Sequence, residues 1–464
     1  MTRRALFALG LALIAAGFVP SSDQTAKAQA PTETATVLRG ARLILGDGNP
    51  AIENAAFVVQ GGRFVAVGPS GEIDTPAGAA TIDLTGKTVM PAIVDAHSHI
   101  GYMMGLTTGP ENYTRENILD HMYRFAYHGV AASQAQGSDF GVMPFELRDE
   151  ILAGQYPDAA RFLTAGRGFS PPDDIKSTNM RHAAYVALTE EGVRANVGEL
   201  AYWKVGLIKT WLTNRNGTVR EIEPHVFEAI IDEAHKNGMR VMVHSTEIEN
   251  AKTALRAGVD VFGHMITDVD EELIELFEEH PETAVLLAQV GRRTIHAPYL
   301  DPPDPLLVEA VTPAQIARLR DAIAKTPADE RERVREDWNK TAANIMKLHN
   351  AGVKIGIGSD GGGQGQDRYI GFTAHTEIEN MVAAGMTPME AIVAGTRNGA
   401  EVLGLIEELG TVAVGKSADF IVLNANPLED ITNTRKIDRV YLRGQEVDRA
   451  RLRAMWAAEM RKGD

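Results

Sequence analysis

VMPAIVDAHSHIGY, Val89–Tyr102, is apolar for six residues and then delivers Asp95, His97 and His99 within five positions. An apolar run that short, bounded by polar residues, reads as a buried strand. Side chains on a strand repeat every two residues, so His97 and His99 point to the same side. Two imidazoles aimed together from the end of a buried strand do not serve folding, and they raise the question of what they hold.

The same texture recurs downstream. PAIVDAH, GVAASQA, ARFLTAG, GLIKTWL, RVMVHS, DVFGHM, AVLLAQV and VKIGIGSD are short apolar runs, each followed by a polar loop and a helix-like stretch. Eight such units over residues 91–406 fit a (β/α)8 TIM barrel, with a doubly wound open sheet as the competing α/β arrangement. Helix signals agree. Thr387, Pro388 and Glu390 form a capping box at N-cap, N1 and N3, and HVFEAIIDEAHKNG (His225–Gly238) ends in a glycine stop. The span from Gly291 to Lys347 is long for one βα connection and reads as a rim or lid.

The flanks differ. Within residues 31–90, the segment 36–90 carries β-branched runs broken by Gly-Asp-Gly and Gly-Gly turns, with no helical period, and within 407–464 the segment 410–447 has the same texture. They predict a small β-sandwich built from both ends of the mature chain, followed by a C-terminal tail. Residues 1–30 read as a signal peptide, with Arg3 and Arg4 before the apolar Ala5–Val19 and A-x-A sites after Ala28 or Ala30. This predicts a periplasmic or secreted protein with no membrane association after processing.

The formal net charge is −16 over 464 residues, with no long basic run. That weighs against nucleic acid and anionic membranes as partners and leaves a small-molecule substrate, with a homo-oligomer allowed. The chain has no cysteine, which removes disulfides, thiolate nucleophiles and thiolate metal ligands.

Active residues of a TIM barrel gather at the C-terminal ends of its strands. The first run ends in His97 and His99, the fourth carries Lys209, the fifth ends in His244, the sixth in His264 and the eighth in Asp360. Singly, each has an ordinary structural explanation. Jointly, four imidazoles, a lysine and a carboxylate at one end of successive strands form a donor set suited to zinc and similar divalent ions.

That ordered set resembles the metal-dependent amidohydrolase superfamily, nearest its imidazolonepropionase-like and Xaa-Pro-dipeptidase-like branch. TVMPAIVDAHSH resembles the family's first barrel strand, GLIKTW its lysine strand, HSTEIENAKTALRAGVDVFGHM its fifth-to-sixth unit and AGVKIGIGSDGG its eighth strand. The resemblance implies that His97, His99 and Asp360 hold one divalent ion and His244 and His264 a second. A carboxylated Lys209 and a hydroxide would bridge them, zinc being the expected metal. A mononuclear site with an uncarboxylated Lys209 stays open. Asp360 would be the catalytic acid/base in hydrolysis of an amide or peptide bond of Xaa-Pro dipeptide or N-acyl amino acid type. A lactone, phosphoester or cyclic imide on the same site, or a non-catalytic binding barrel, are the alternatives. Departures from the family pattern fall in the substrate loops: Ala92 replaces a usual glycine, and AGRGFSPPDD lacks a Gly-Gly-His. Candidate substrate contacts are Tyr102, Arg292, Arg293 and His375, with Arg167 and Arg215 further strand-end cations and Trp211 a pocket or core residue.

Overall fold

The computed structural model describes residues 34–174, 181–215, 217–288, 299–363 and 368–460. Residues 1–30, expected above to be a signal peptide, and Arg292 and Arg293 lie outside them. All eight expected barrel strands form: Ile93–Ser98, Val130–Ala135, Arg161–Thr164, Leu207–Trp211, Arg240–His244, Val261–Phe262, Ala284–Leu287 and Lys354–Ile357. The first three pair in parallel, as do the last five. Two joints complete the ring. Phe169, just beyond the third strand, pairs with Thr210 of the fourth, and Gln134 donates to Leu207 O at 2.8 Å. Ser98 bridges Gly361, with Asp360 N donating to His97 O at 2.8 Å and His99 N to Gly361 O at 2.8 Å. The fold is a (β/α)8 barrel.

The barrel interior is packed by Val94, Ala96, Ala132, Leu207, Met242, Val261, Ala284 and Leu286. Strict alternation from Val94 and Ala96 would turn His97 and His99 outward. The first strand avoids this: Asp95 pairs with Ser133 and Ser98 with Ala135, so three steps on one strand match two on its neighbour. The extra residue is a β-bulge, and it flips the facing of everything after it. Asp95 stabilises the distortion by accepting from Ser359 N at 2.9 Å, Ser359 Oγ at 2.5 Å and His97 N at 3.3 Å, tying the first strand to the eighth.

The two flanks meet in one curled eight-stranded sheet. Thr88–Pro91 lies between Thr36–Leu43 and Phe420–Leu423, pairing Met90 with Ile421. Phe57, Phe64, Phe420 and Tyr441 fill its own core. A buried bidentate pair, Arg161 with Asp419 at 2.8 and 3.1 Å, fastens this sheet to the barrel. The expected C-terminal tail is a helix, Arg449–Met460, whose Trp456 is buried and donates to Asp120 at 2.6 Å. The capping box at Thr387 and Glu390 forms, and the helix Pro224–Lys236 is followed by Gly238 at φ 70. Within the expected rim, Pro313–Lys325 is a helix whose Gln315 and Arg318 donate to Gly105 O at 2.8 Å and Leu106 O at 2.7 Å in the loop after the first strand. Among the described residues no helix is long and apolar enough to cross a membrane.

Candidate active site

The six side chains from five strands converge. His97 and His99 stand 5.5 Å apart by ring centroid, His97 and His264 4.9 Å, and His264 and His244 4.5 Å. Lys209 Nζ is 3.3 Å from His97 Nε2. Asp360 Oδ1 is 3.0 Å from His99 Nε2 and 3.7 Å from His97 Nε2. One ligand atom each from His97, His99 and Asp360 fall within 4.8 Å of one another, the spacing of a cation site. His97, His99, Lys209 and Asp360 are buried, and His244 and His264 are partly exposed at the mouth.

The tuning of these rings fits a divalent ion. His97 Nδ1 lies 2.8 Å from Gly263 O, so that nitrogen carries the proton and leaves the Nε2 lone pair facing the centre. His99 Nδ1 meets Ser138 Oγ at 3.1 Å, which orients the ring with Nε2 towards the centre. Burial, and then the charge of Lys209, drives the pKa of His97 and His99 far below the usual imidazole range. Burial and the neighbouring imidazole or lysine do the same for His244 and His264. Neutral imidazole is the metal-binding form. Burial, and then Arg181, pushes Lys209 well below an ordinary lysine, favouring the neutral amine. Asp360 adopts φ 53, the left-handed region, and its Oδ2 pairs with Arg368. Burial lowers the pKa of Arg368 to about 10, with the charge of Glu377 on the next helix acting in the opposite direction.

Glycines make room for this convergence. A Cβ on Gly263 would stand 3.0 Å from Lys209 Nζ and 3.1 Å from His97 Nδ1, and one on Gly358 would stand 2.6 Å from His97 Cβ.

The expected substrate contacts fare differently. His375 is fully buried away from the centre, with Nε2 2.8 Å from His128 O and Nδ1 3.1 Å from Thr434 Oγ1. It sits in the second turn of Phe372–Ala384, a helix whose buried face turns it inward, so it is a packing residue and does not meet substrate. Tyr102 is also buried, and its hydroxyl donates to Ser138 O at 2.5 Å. It therefore supports the residue that holds His99 and does not line the pocket. Arg167 stacks on Tyr185, its guanidinium 4.0 Å from the ring. Trp211 is buried beneath Arg181. Ser138, Arg181 and Arg368 went unread in the sequence because they lie in irregular loops. The arginine closing GSDGGGQGQDR was the one available hint.

The model of the amidohydrolase family matches residues 206–447, just over half of the chain. The protein belongs to the amidohydrolase family, and it is a hydrolase acting on carbon–nitrogen bonds. It is 22% identical to a 5-methylthioadenosine/S-adenosylhomocysteine deaminase of Symbiobacterium thermophilum, over 80% of this chain and 81% of that protein. It is 23% identical to an imidazolonepropionase of a Geobacillus species, over 80% of this chain and 84% of the relative. Among solved structures, a Xaa-Pro dipeptidase with methionine in its active site superposes with a TM-score of 0.70 at 23% identity, covering 89% of this chain and 99% of that one.

Proposed function

We propose that the protein hydrolyses an amide or peptide bond of a small N-acyl amino acid or dipeptide. The reading rests on one observation above the rest: Nε2 of His97 and His99 and Oδ1 of Asp360 gather within cation-binding reach, with Lys209 and the His244/His264 pair beside them. His97, His99 and Asp360 would hold one divalent ion and His244 and His264 a second, zinc being the proposed metal. Such ions lower the pKa of water and polarise the scissile carbonyl.

The chain's own groups do the rest. Lys209, held neutral, adds through its Nζ lone pair to carbon dioxide and loses a proton, which gives an anionic oxygen donor between the two sets of ligands. Asp360 accepts the proton of the attacking water and returns it to the departing amine nitrogen. Arg368, on Oδ2, leaves Oδ1 directed at the histidines. Gly263 O holds His97 in the tautomer that ligates, and Ser138 Oγ orients the ring of His99. We further propose that residues 1–30 export the protein, so that it works outside the cytoplasm. Amino-terminal sequencing of the mature protein would find residue 29 or 31.

The test is a panel of N-acyl amino acids and Xaa-Pro dipeptides offered to metal-replete protein, with elemental analysis, with and without chelator. Cleavage that chelation abolishes and zinc restores supports the reading. A metal-replete protein that cleaves none of the panel but opens lactones or phosphoesters refutes it.

A further inference from the structure

The barrel mouth carries a second group of charges that the hydrolytic chemistry leaves unused. Asp174, fully buried in the loop after the third strand, takes two guanidiniums. Arg215 Nε donates to its Oδ1 at 2.5 Å, and Arg181 pairs with its Oδ2. Two cations around one carboxylate leave a net positive charge. Two guanidinium forks also carry more N–H donors than one carboxylate can accept.

This group stands close to the histidines and Lys209, on the other side of Trp211. The Arg181 guanidinium lies 4.8 Å from the centroid of Trp211, and Lys209 Nζ lies 5.9 Å from the same ring. Beside Arg181 the mouth is aromatic. His182 stands edge-on to Phe140 at 5.1 Å, and Phe140, 37% exposed, packs on Tyr113 at 4.6 Å.

We propose that Arg181 and Arg215, spaced by Asp174, form the subsite that receives a carboxylate of the substrate. The proposal rests on the C–N hydrolase reading and names the acidic half of its substrate. Asp174 fixes both guanidiniums before the substrate arrives, so little side-chain freedom is lost on binding. Phe140 and His182 border the subsite, which selects an amino acid with an aromatic side chain as the probe.

The experiment compares N-acetyl-L-phenylalanine with N-acetyl-L-phenylalanine amide, which differ by one charge. Wild type favours the acid. In Arg215→Met, and separately Arg181→Met, the acid-over-amide ratio of kcat/KM falls about 10- to 100-fold, the loss of a charged hydrogen bond. Arg215 is the safer site because it is partly exposed, and circular dichroism and metal content check that each variant folds. If the three side chains merely brace the loop, both substrates lose rate together, the ratio stays at the wild-type value and the proposal is overturned. If wild type cleaves neither compound, calorimetric titration with N-acetyl-L-phenylalanine decides. Affinity that falls tenfold or more in Arg215→Met upholds the subsite while the hydrolytic reading fails. No binding, or binding equal in both proteins, overturns the subsite.

Discussion

Gly358→Ala tests whether the seat of Asp360 is set by the contact between the eighth and first strands. Gly358 does not lie in the left-handed region, so alanine meets no backbone penalty there, and the effect is steric. Its Cβ would fall 2.6 Å from His97 Cβ and 3.4 Å from Leu286 Cβ. Ordinary contact begins at 3.4 Å, so the two strands must part by about 0.8 Å to restore it. His97 Cβ cannot rotate away, because it is fixed to a backbone whose carbonyl binds Asp360 N. The displacement therefore passes to Asp360, two residues on, and lengthens its 3.0 Å approach to His99. Overpacking of this kind destabilises by about 1–3 kcal/mol, which a folded domain survives. A misplacement near 1 Å lowers turnover by about 100-fold. The assay is kcat/KM on the best panel substrate together with bound metal per chain and a thermal melt. Gly71→Ala, where a Cβ meets nothing within 4 Å, serves as the control. A Gly358→Ala protein with wild-type metal content and wild-type kcat/KM would refute the reasoning.

Asp360→Asn keeps the size of the side chain and removes its base; turnover falls by about 100- to 10,000-fold, and a loss under tenfold would exclude Asp360 as the proton carrier. Asp419→Ala strands a buried Arg161 and lowers unfolding free energy by about 3–5 kcal/mol, read from urea midpoints. Burial pushes His121 and His375 down to about 4 and His128 to about 3. In the folded chain these rings stay neutral where an unfolded histidine, near 6.5, takes up a proton. Their contribution is whole above pH 6.5 and is lost as pH falls towards about 4, with a slope approaching roughly 4 kcal/mol per pH unit for the three together. Urea midpoints that stay level between pH 7 and 5 would contradict it.

The barrel was legible because its eight apolar strands are short and punctuated by glycine and capping residues. The converging side chains were legible for the same reason: a strand end is a fixed address, so His97, His99, Lys209, His244, His264 and Asp360 could be placed without knowing any loop. The bulge between Asp95 and Ser98 could not be read, since a one-residue slip leaves the period of the apolar residues intact. Nor could the partners Ser138, Arg181 and Arg368. They come from loops with no period, and their positions depend on how neighbouring loops pack. His375 shows the converse error. Its place shortly after the eighth strand suggested the mouth, but the helix beginning at Phe372 rotates it into the core.

The sheet that joins the two flanks has a consequence for biosynthesis. Thr88–Pro91 runs almost directly into the strand bearing His97 and His99, yet one of its two neighbours is Phe420–Leu423. While the ribosome is still adding the last fifty or so residues, that early strand has an open edge. Nascent chains stalled before Phe420 should therefore stay protease-sensitive around Met90, and trimming the carboxyl end should silence a catalytic centre that lies wholly upstream of the cut.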